Sequence, residues 1–214
     1  MSGMAIVFLH GFLGTGKDWN GVSSFLGDFT CFAPDLPGHG QCPFQESFEL
    51  NPNVERFVLV GYSMGGRLAM GYAEKHPEKV ASLILISAHP GLDSEEEKQK
   101  RLARDAEWAK LLLELPIDEF LSRWYDQPLF HPFKPDLDVR RRQNPETLAK
   151  ALLHFSLAKQ PRYDTKRALV LIGERDEAYR KLYPDAKIIA GAGHMAHLEN
   201  PKAVAEAIKN RILL

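Results

Sequence analysis

Ser63 lies at the centre of a short motif, Gly61-Tyr62-Ser63-Met64-Gly65, that is typical of a nucleophilic serine on a sharp turn. An apolar run precedes the motif and a helical pattern follows it, which is the strand–turn–helix context that such a turn requires. The glycines relieve crowding where the chain reverses around a strained serine. The sequence therefore predicts that Ser63 is the reactive residue, with a purely structural serine as the alternative.

A serine hydroxyl needs a general base, and that base needs an acid to orient it. His194 in the segment GAGHMAH follows the last strand candidate and is the predicted base, whereas we interpret His197 as a helix-start residue. Asp176 follows the preceding strand candidate and is the predicted acid. Asp164 is its rival, but it stands before that strand instead of after it.

Two backbone amides are candidates for stabilising a developing oxyanion. One belongs to Met64, directly after the serine, and the other to Phe12, directly after His10-Gly11. The glycine-rich segment HGFLGTGKDW lacks the spacing of a phosphate-binding loop. No Cys-x-x-Cys pair and no His/Cys cluster with zinc spacing occurs in the sequence, so we predict no metal site.

Apolar runs and helical patterns alternate along the chain, which predicts a mostly parallel sheet with helices on both faces. The helices include SMGGRLAMGYAEKHP, which ends at Pro77, and the closing segment PKAVAEAIKNRILL. Six runs are candidate strands: Ala5–Leu9, Cys31–Asp35, Arg56–Gly61, Ser82–Ser87, Ala168–Gly173 and Ala186–Gly191.

Residues 91–165 interrupt this alternation because they carry helical patterns only. An all-helical insertion between two strands of a parallel sheet is typical of a cap over the carboxyl ends of the strands. We therefore predict an α/β core of residues 1–90 and 166–214 and a helical cap of residues 91–165. A helical appendage remote from the site is the alternative. Residues 41–55 show no convincing helix, so this crossover is expected to be short or irregular.

Composition limits the kinds of partner. The 214 residues carry a net charge of −1, which argues against a nucleic-acid or anionic-membrane surface. No run approaches the length of a membrane span, and the N-terminal segment is interpreted as a strand instead of a signal peptide. The two cysteines, Cys31 and Cys42, are expected to be free thiols in the cytoplasm, with a disulfide as the alternative. The sequence leaves the oligomeric state open.

Four segments, FLHGFLGTGKDW, PDLPGHG, VGYSMGGRLAM and GAGHMAHLENP, resemble the α/β-hydrolase superfamily across essentially the whole chain. More narrowly, GYSMGGR, ISAHPGL, RWYDQPLF, QNPETLAKAL and IGERD resemble the 2-succinyl-6-hydroxy-2,4-cyclohexadiene-1-carboxylate synthases of menaquinone and phylloquinone biosynthesis. The resemblance implies an α/β-hydrolase fold with its triad in the order Ser63, Asp176, His194. It also implies a lyase that needs no cofactor and eliminates pyruvate from 2-succinyl-5-enolpyruvyl-6-hydroxy-3-cyclohexene-1-carboxylate.

The substrate implied by the resemblance is a small-molecule polycarboxylate with three carboxylates, and arginine binds such groups better than lysine does. Carried over by position, the family's substrate-binding residues are Tyr62, Arg67, Arg101, Trp124 and Arg140. Arg140 is chosen by spacing from Arg140, Arg141 and Arg142, all of which precede QNPETL. Surface ion pairs are the alternative role for these arginines.

The mechanism that the resemblance implies uses the triad to remove a proton next to the succinyl ketone instead of forming an acyl-enzyme. Two other functions stay open. One is an esterase, thioesterase or carbon–carbon bond hydrolase that uses Ser63 covalently. The other is a non-catalytic binding protein with the same fold. Arg67 favours the lyase, because a neutral ester does not require a guanidinium close to the serine.

Overall fold

The computed structural model describes residues 4–213 and shows one six-stranded sheet in which every neighbouring pair of strands is parallel. The spatial order is β2-β1-β3-β4-β5-β6, so the chain starts inside the sheet, adds one strand on one side and then continues to the other. The strands are β1 (Ala5–Leu9), β2 (Thr30–Phe32), β3 (Phe57–Tyr62), β4 (Val80–Ile86), β5 (Leu169–Gly173) and β6 (Lys187–Ile189).

Both faces of the sheet are covered by helices, as the apolar strand runs predict. The helices are α1 (Asn20–Ser24), α2 (Met64–Lys75), α3 (Glu95–Glu114), α4 (Ile117–Tyr125), α5 (Asp138–Arg141), α6 (Pro145–His154), α7 (Glu177–Leu182), α8 (Ala196–Glu199) and α9 (Pro201–Ile212). Short 3₁₀ helices occupy Gly16–Trp19, Pro128–Phe130 and Leu157–Lys159.

Alternation along the strands divides the core into two layers. Ile6 and Phe8 of β1 face the layer that contains Val204 and Ile208 of α9. Their neighbours in β1 face the opposite layer, against Met70 of α2. Because successive strand residues point to opposite faces, one strand can supply both layers, and β1 is consequently apolar throughout.

All the elements between β4 and β5 are helical, which agrees with the absence of strand patterns in that segment. Ser94 begins α3 with a capping box, in which its hydroxyl accepts from the Glu97 amide and the Glu97 carboxylate accepts from the Ser94 amide. The segment NPETLAKALLHFSLAKQ divides into α6 and the 3₁₀ helix Leu157–Lys159, because the Ser156 hydroxyl caps the second helix. The boundaries of the cap at residues 91 and 165 stay a prediction.

The strand predicted at Cys31–Asp35 is wrong in its bounds, since β2 ends at Phe32. Pro34 has no amide proton for a sheet ladder. The Asp35 carboxylate instead accepts hydrogen bonds from the amides of Gly16, at 2.8 Å, and Gln41, at 2.9 Å. Residues 41–55 contain no helix, as predicted.

Cys31 and Cys42 are free thiols, as expected. None of the helices within residues 4–213 is both long enough and apolar enough to cross a membrane.

Candidate active site

Ser63 occupies the turn between β3 and α2 in a conformation that is rare for a residue other than glycine, with a positive φ of 50° and ψ of −112°. Its amide donates to the Ile86 carbonyl of β4 at 3.0 Å, which holds the strained turn in place. A Cβ atom at Gly65 would lie 2.3 Å from the carbonyl oxygens of Leu9 and His10. Glycine is therefore required where α2 begins against the end of β1, and this close packing presents Ser63 at the carboxyl edge of the sheet.

His194 and Asp176 form a buried hydrogen-bonded pair. The Nδ1–H group of His194 donates to Oδ2 of Asp176 at 2.8 Å, and both residues are almost fully inaccessible to solvent. They follow β6 and β5, so the parallel sheet brings them to the same edge as Ser63. The contact leaves Nε2 as the ring nitrogen available for proton transfer. Asp164, the rival acid, is exposed and accepts from the Lys166 amide instead.

A cavity of about 560 Å³ opens above Ser63 and is called the Ser63 cavity here. His194, Phe12 and Met64 line it from the ends of the sheet, and Trp108 of α3 and Trp124 of α4 line it from the opposite side. The two indole rings meet edge to face, with centroids 4.9 Å apart. The volume lies within the range typical of small-molecule sites. Strand ends thus form the floor of the cavity, and helices between β4 and β5 form its roof.

The two predicted oxyanion residues both border the Ser63 cavity. Met64 is the first residue of α2, so its amide is one of those that find no acceptor within the helix. The positive end of the helix dipole adds to its attraction for negative charge. Phe12 follows β1, and its ring packs on Trp124 at a centroid distance of 5.0 Å.

His10 fixes the loop that carries Phe12. Its Nε2 accepts from the Leu36 amide at 2.9 Å, so its Nδ1 carries the proton and donates to the Gly11 carbonyl at 2.8 Å. Burial lowers the pKa of His10 to about 4, which keeps the ring neutral. His10 therefore holds the backbone of this loop through hydrogen bonds to Gly11 and Leu36.

Arg67 lies one helical turn after Ser63 and lines the Ser63 cavity. Its Nη1 group donates to the Phe155 carbonyl at 2.7 Å and to Oε1 of Gln160 at 3.2 Å, both neutral acceptors. Burial and the nearby charge of Arg101 lower the pKa of Arg67 to about 10. The guanidinium stays protonated at neutral pH, and an arriving anion would relieve the electrostatic cost of this arrangement.

Arg101 also lines the Ser63 cavity, from α3. Its Nε group donates to both carboxylate oxygens of Asp105, at 2.8 and 2.9 Å. Asp105 is buried and accepts a further hydrogen bond from Ser156 at 2.6 Å. Since Ser156 directly follows the residue whose carbonyl holds Arg67, one short segment positions both arginines.

Among the residues that line the Ser63 cavity but were not predicted as site residues are the polar side chains of His89, Arg104, Gln127 and Tyr179. Arg104 stands on the same face of α3 as Arg101 and Trp108, a helical spacing that the sequence does show. His89 follows the end of β4 just as the other site residues follow their strands. Burial and the charges of Arg101, Arg162 and Arg67 lower the pKa of His89.

Tyr62 lies beneath the site instead of in the wall of the Ser63 cavity. It is 4% exposed, and its ring packs on those of His194, at 5.4 Å, and His197, at 4.2 Å. His197 is in the short helix α8, as interpreted, but it is fully buried between the rings of Tyr62 and Trp19. The geometry thus supports a packing role for Tyr62 below His194, in place of direct substrate contact.

Arg140 also differs from its predicted placement. It is 1% exposed and does not line the Ser63 cavity. Its Nη2 donates to Asp18 at 2.8 Å and its Nε to the Tyr125 hydroxyl at 2.9 Å. Asp18 belongs to the core segment after β1, so the ion pair joins the helices of residues 117–141 to the core. The geometry assigns Arg140 to this contact instead of to direct substrate binding.

Replacing Arg140 by Met should lower the free energy of unfolding by about 3 kcal/mol, because Asp18 would be left buried without its partner. The double variant Arg140→Met with Asp18→Asn should recover much of that loss. Arg141 is the matched control, since it is exposed and Arg141→Met should leave stability nearly unchanged. Urea unfolding followed by circular dichroism measures all three. Unchanged stability of Arg140→Met together with a raised KM would instead support direct substrate binding.

Ser63 lies on a strained turn before a helix, the buried pair of His194 and Asp176 follows later strands, and Phe12 and Met64 line the cavity above the serine. This arrangement is typical of the serine-triad α/β class of proteins. Residues 6–207 match the model of the alpha/beta hydrolase family, and the chain belongs to that family.

Relatives within this family carry a more specific name, 2-succinyl-6-hydroxy-2,4-cyclohexadiene-1-carboxylate synthase. The Enterobacter sp. (strain 638) protein of that name is 35% identical over 232 residues, which cover 95% of this chain and 89% of the relative. A Haemophilus influenzae protein named as a putative synthase of the same kind is 36% identical, with 97% of both chains covered. The Escherichia coli O1:K1 synthase is 34% identical over 95% of this chain and 91% of its own.

Solved structures of similar proteins include a MenH and an esterase. MenH from S. aureus superposes with a TM-score of 0.84 at 25% identity, over 100% of this chain and 94% of that one. A thermophilic esterase from Thermogutta terrifontis, with malate bound, has a TM-score of 0.71 at 25% identity, over 99% of this chain and 90% of that one. The predicted fold class and the resemblance to the synthases are both confirmed.

Proposed function

We propose that the protein is a pyruvate-eliminating lyase that converts 2-succinyl-5-enolpyruvyl-6-hydroxy-3-cyclohexene-1-carboxylate to 2-succinyl-6-hydroxy-2,4-cyclohexadiene-1-carboxylate in menaquinone biosynthesis. The observation that carries the proposal is the placement of Arg67 and Arg101 in the cavity that also holds Ser63. A substrate with three carboxylates requires such cations, and a neutral ester does not. The synthase relatives at 34–36% identity support the same activity.

Ser63 acts as the base in this proposal. His194 takes the hydroxyl proton through Nε2 while Asp176 stabilises the resulting imidazolium. The serine oxygen then removes the proton from ring carbon C2, next to the succinyl ketone. The amides of Phe12 and Met64 hold the enolate oxygen as negative charge develops on it.

Elimination follows along the ring. The electron pair of the enolate forms the C2=C3 double bond, the C3=C4 pair moves to C4=C5, and the C5–O bond breaks. The leaving group departs as the enolate of pyruvate and is protonated at carbon, so the proton taken from C2 is balanced by the one that pyruvate gains. No water is consumed, which distinguishes the reaction from ester hydrolysis by the same residues.

Arg67, Arg101 and Trp124 are proposed to hold the substrate, with the arginines on carboxylates and the indole ring against the apolar part of the molecule. Tyr62 and Arg140 are proposed to support the site without touching the substrate, Tyr62 by packing on His194 and Arg140 through its ion pair with Asp18. The partner is therefore a small polycarboxylate, and we propose that the protein acts in the cytoplasm.

Replacing Arg67 by Met should lower kcat/KM for the tricarboxylate by about 100-fold, since a largely desolvated charge-assisted contact is lost. Hydrolysis of a neutral p-nitrophenyl ester by the same variant should change by less than about threefold. Pyruvate release is followed with lactate dehydrogenase and NADH, and ester hydrolysis by nitrophenolate absorbance.

Arg67→Lys is the matched variant, because it retains the charge but loses the bidentate geometry, and it should recover part of the activity. Thermal unfolding of all variants shows whether loss of the contacts to Phe155 and Gln160 disturbs the fold. Equal losses on the tricarboxylate and the neutral ester would argue against carboxylate binding by Arg67.

A further inference from the structure

Arg104 is an exposed cation at the mouth of the Ser63 cavity for which the elimination chemistry gives no role. It lies three residues after Arg101 and four before Trp108, so the three side chains share the cavity-facing side of α3. Its Nη2 group donates to Oε1 of Gln127. Gln127 in turn donates to the Trp124 carbonyl at 2.9 Å, which anchors the pair to the end of α4.

The three cavity arginines differ in how their charge is balanced. Arg101 is matched by the buried carboxylate of Asp105. Within residues 4–213, Arg67 and Arg104 form no salt bridge, and their hydrogen bonds go to neutral oxygens. A guanidinium has five N–H donors, so one hydrogen bond to Gln127 leaves a fork that can bind a carboxylate through two oxygens.

We propose that Arg104, held by Gln127, binds one carboxylate of the substrate at the cavity mouth and makes the site selective for tricarboxylates. The inference rests on the proposed function for the identity of the substrate. Because the side chain is exposed and its hydrogen bond goes to Gln127 instead of to the turn at Ser63, its contact forms on substrate binding and persists in the transition state. Its loss therefore raises KM and leaves kcat unchanged.

The test compares Arg104→Met with Arg123→Met. Arg123 is the matched control, because it is exposed on α4, pairs with Glu119 and does not line the Ser63 cavity. Arg104→Met should raise KM for the tricarboxylate about tenfold with kcat within twofold of wild type, the size of effect expected for one partly solvated charged hydrogen bond. Arg123→Met should stay within twofold on both constants. Arg104→Lys, which retains the charge, should give an intermediate KM.

An unchanged KM in Arg104→Met, an equal rise in both methionine variants or a fall in kcat alone would overturn the inference. Calorimetric titration with propane-1,2,3-tricarboxylate separates this outcome from failure of the proposed function. If the wild type releases no pyruvate, the proposed function fails. Arg104 is then judged by binding alone. Weaker binding of the tricarboxylate by Arg104→Met, but not by Arg123→Met, supports the inference. It is overturned if Arg104→Met binds the tricarboxylate as tightly as the wild type, or if the wild type does not bind it.

Discussion

Replacing Ser63 by Ala should lower kcat for pyruvate release by about 10³-fold or more, because it removes the oxygen proposed to take the C2 proton. The alanine variant keeps the cavity arginines, so its affinity for the substrate should change by less than about threefold. Stopped assays over hours, with lactate dehydrogenase reporting pyruvate, measure the residual rate. Equilibrium titration of the inactive variant with substrate measures affinity.

Ser122→Ala is the control for the Ser63 variant, since Ser122 is exposed on α4 and should tolerate the change without loss of activity. A Ser63→Ala enzyme that retains a tenth of the wild-type kcat would show that another group removes the proton. His194 would then be the first candidate, because its free ring nitrogen borders the same cavity.

The second large effect is expected at Asp176, where replacement by Asn should lower kcat by about 10³-fold. The amide cannot stabilise an imidazolium, and its NH₂ group favours the ring tautomer in which Nε2 carries the proton and cannot accept one from Ser63. Asp176 and His194 are both buried, so water cannot replace the lost hydrogen bond at 2.8 Å. The measurement is kcat for pyruvate release, with the thermal unfolding midpoint recorded alongside.

Asp164→Asn is the matched control for Asp176→Asn, because both carboxylates flank β5 and only Asp176 contacts His194. Its activity should equal that of the wild type. If the two variants lose activity equally, the assignment of the acid to Asp176 is wrong.

The sequence predicted which candidate residues lie at the carboxyl edge of the sheet, because each candidate follows a strong apolar run. Parallel strands bring Ser63, Asp176 and His194 to one edge once the strands themselves are recognised. The wrong end of β2 has a different origin. Asp35 lies outside the strand, and its carboxylate accepts hydrogen bonds from the amides of Gly16 and Gln41. A local sequence pattern does not predict such contacts.

The arginines likewise divide into those whose position a local sequence pattern predicts and those whose position depends on a distant contact. The position of Arg67 at the cavity can be predicted from the sequence, because Arg67 lies one helical turn after the serine. The buried ion pair of Arg140 cannot be predicted in this way, because its partner Asp18 is 122 residues away in the chain and no spacing rule connects the two. Arg104 falls between these cases, since its helical spacing from Arg101 and Trp108 is in the sequence. What the spacing does not reveal is which face of α3 meets the cavity.

Elimination without hydrolysis is tested most directly by the stoichiometry of products from the purified protein. Incubated with 2-succinyl-5-enolpyruvyl-6-hydroxy-3-cyclohexene-1-carboxylate, the protein should release one pyruvate for each conjugated cyclohexadiene formed, as seen by its ultraviolet absorbance. Turnover of simple esters should be much slower. Rapid ester hydrolysis with no pyruvate and no diene would contradict the proposal and identify Ser63 as the nucleophile of an esterase.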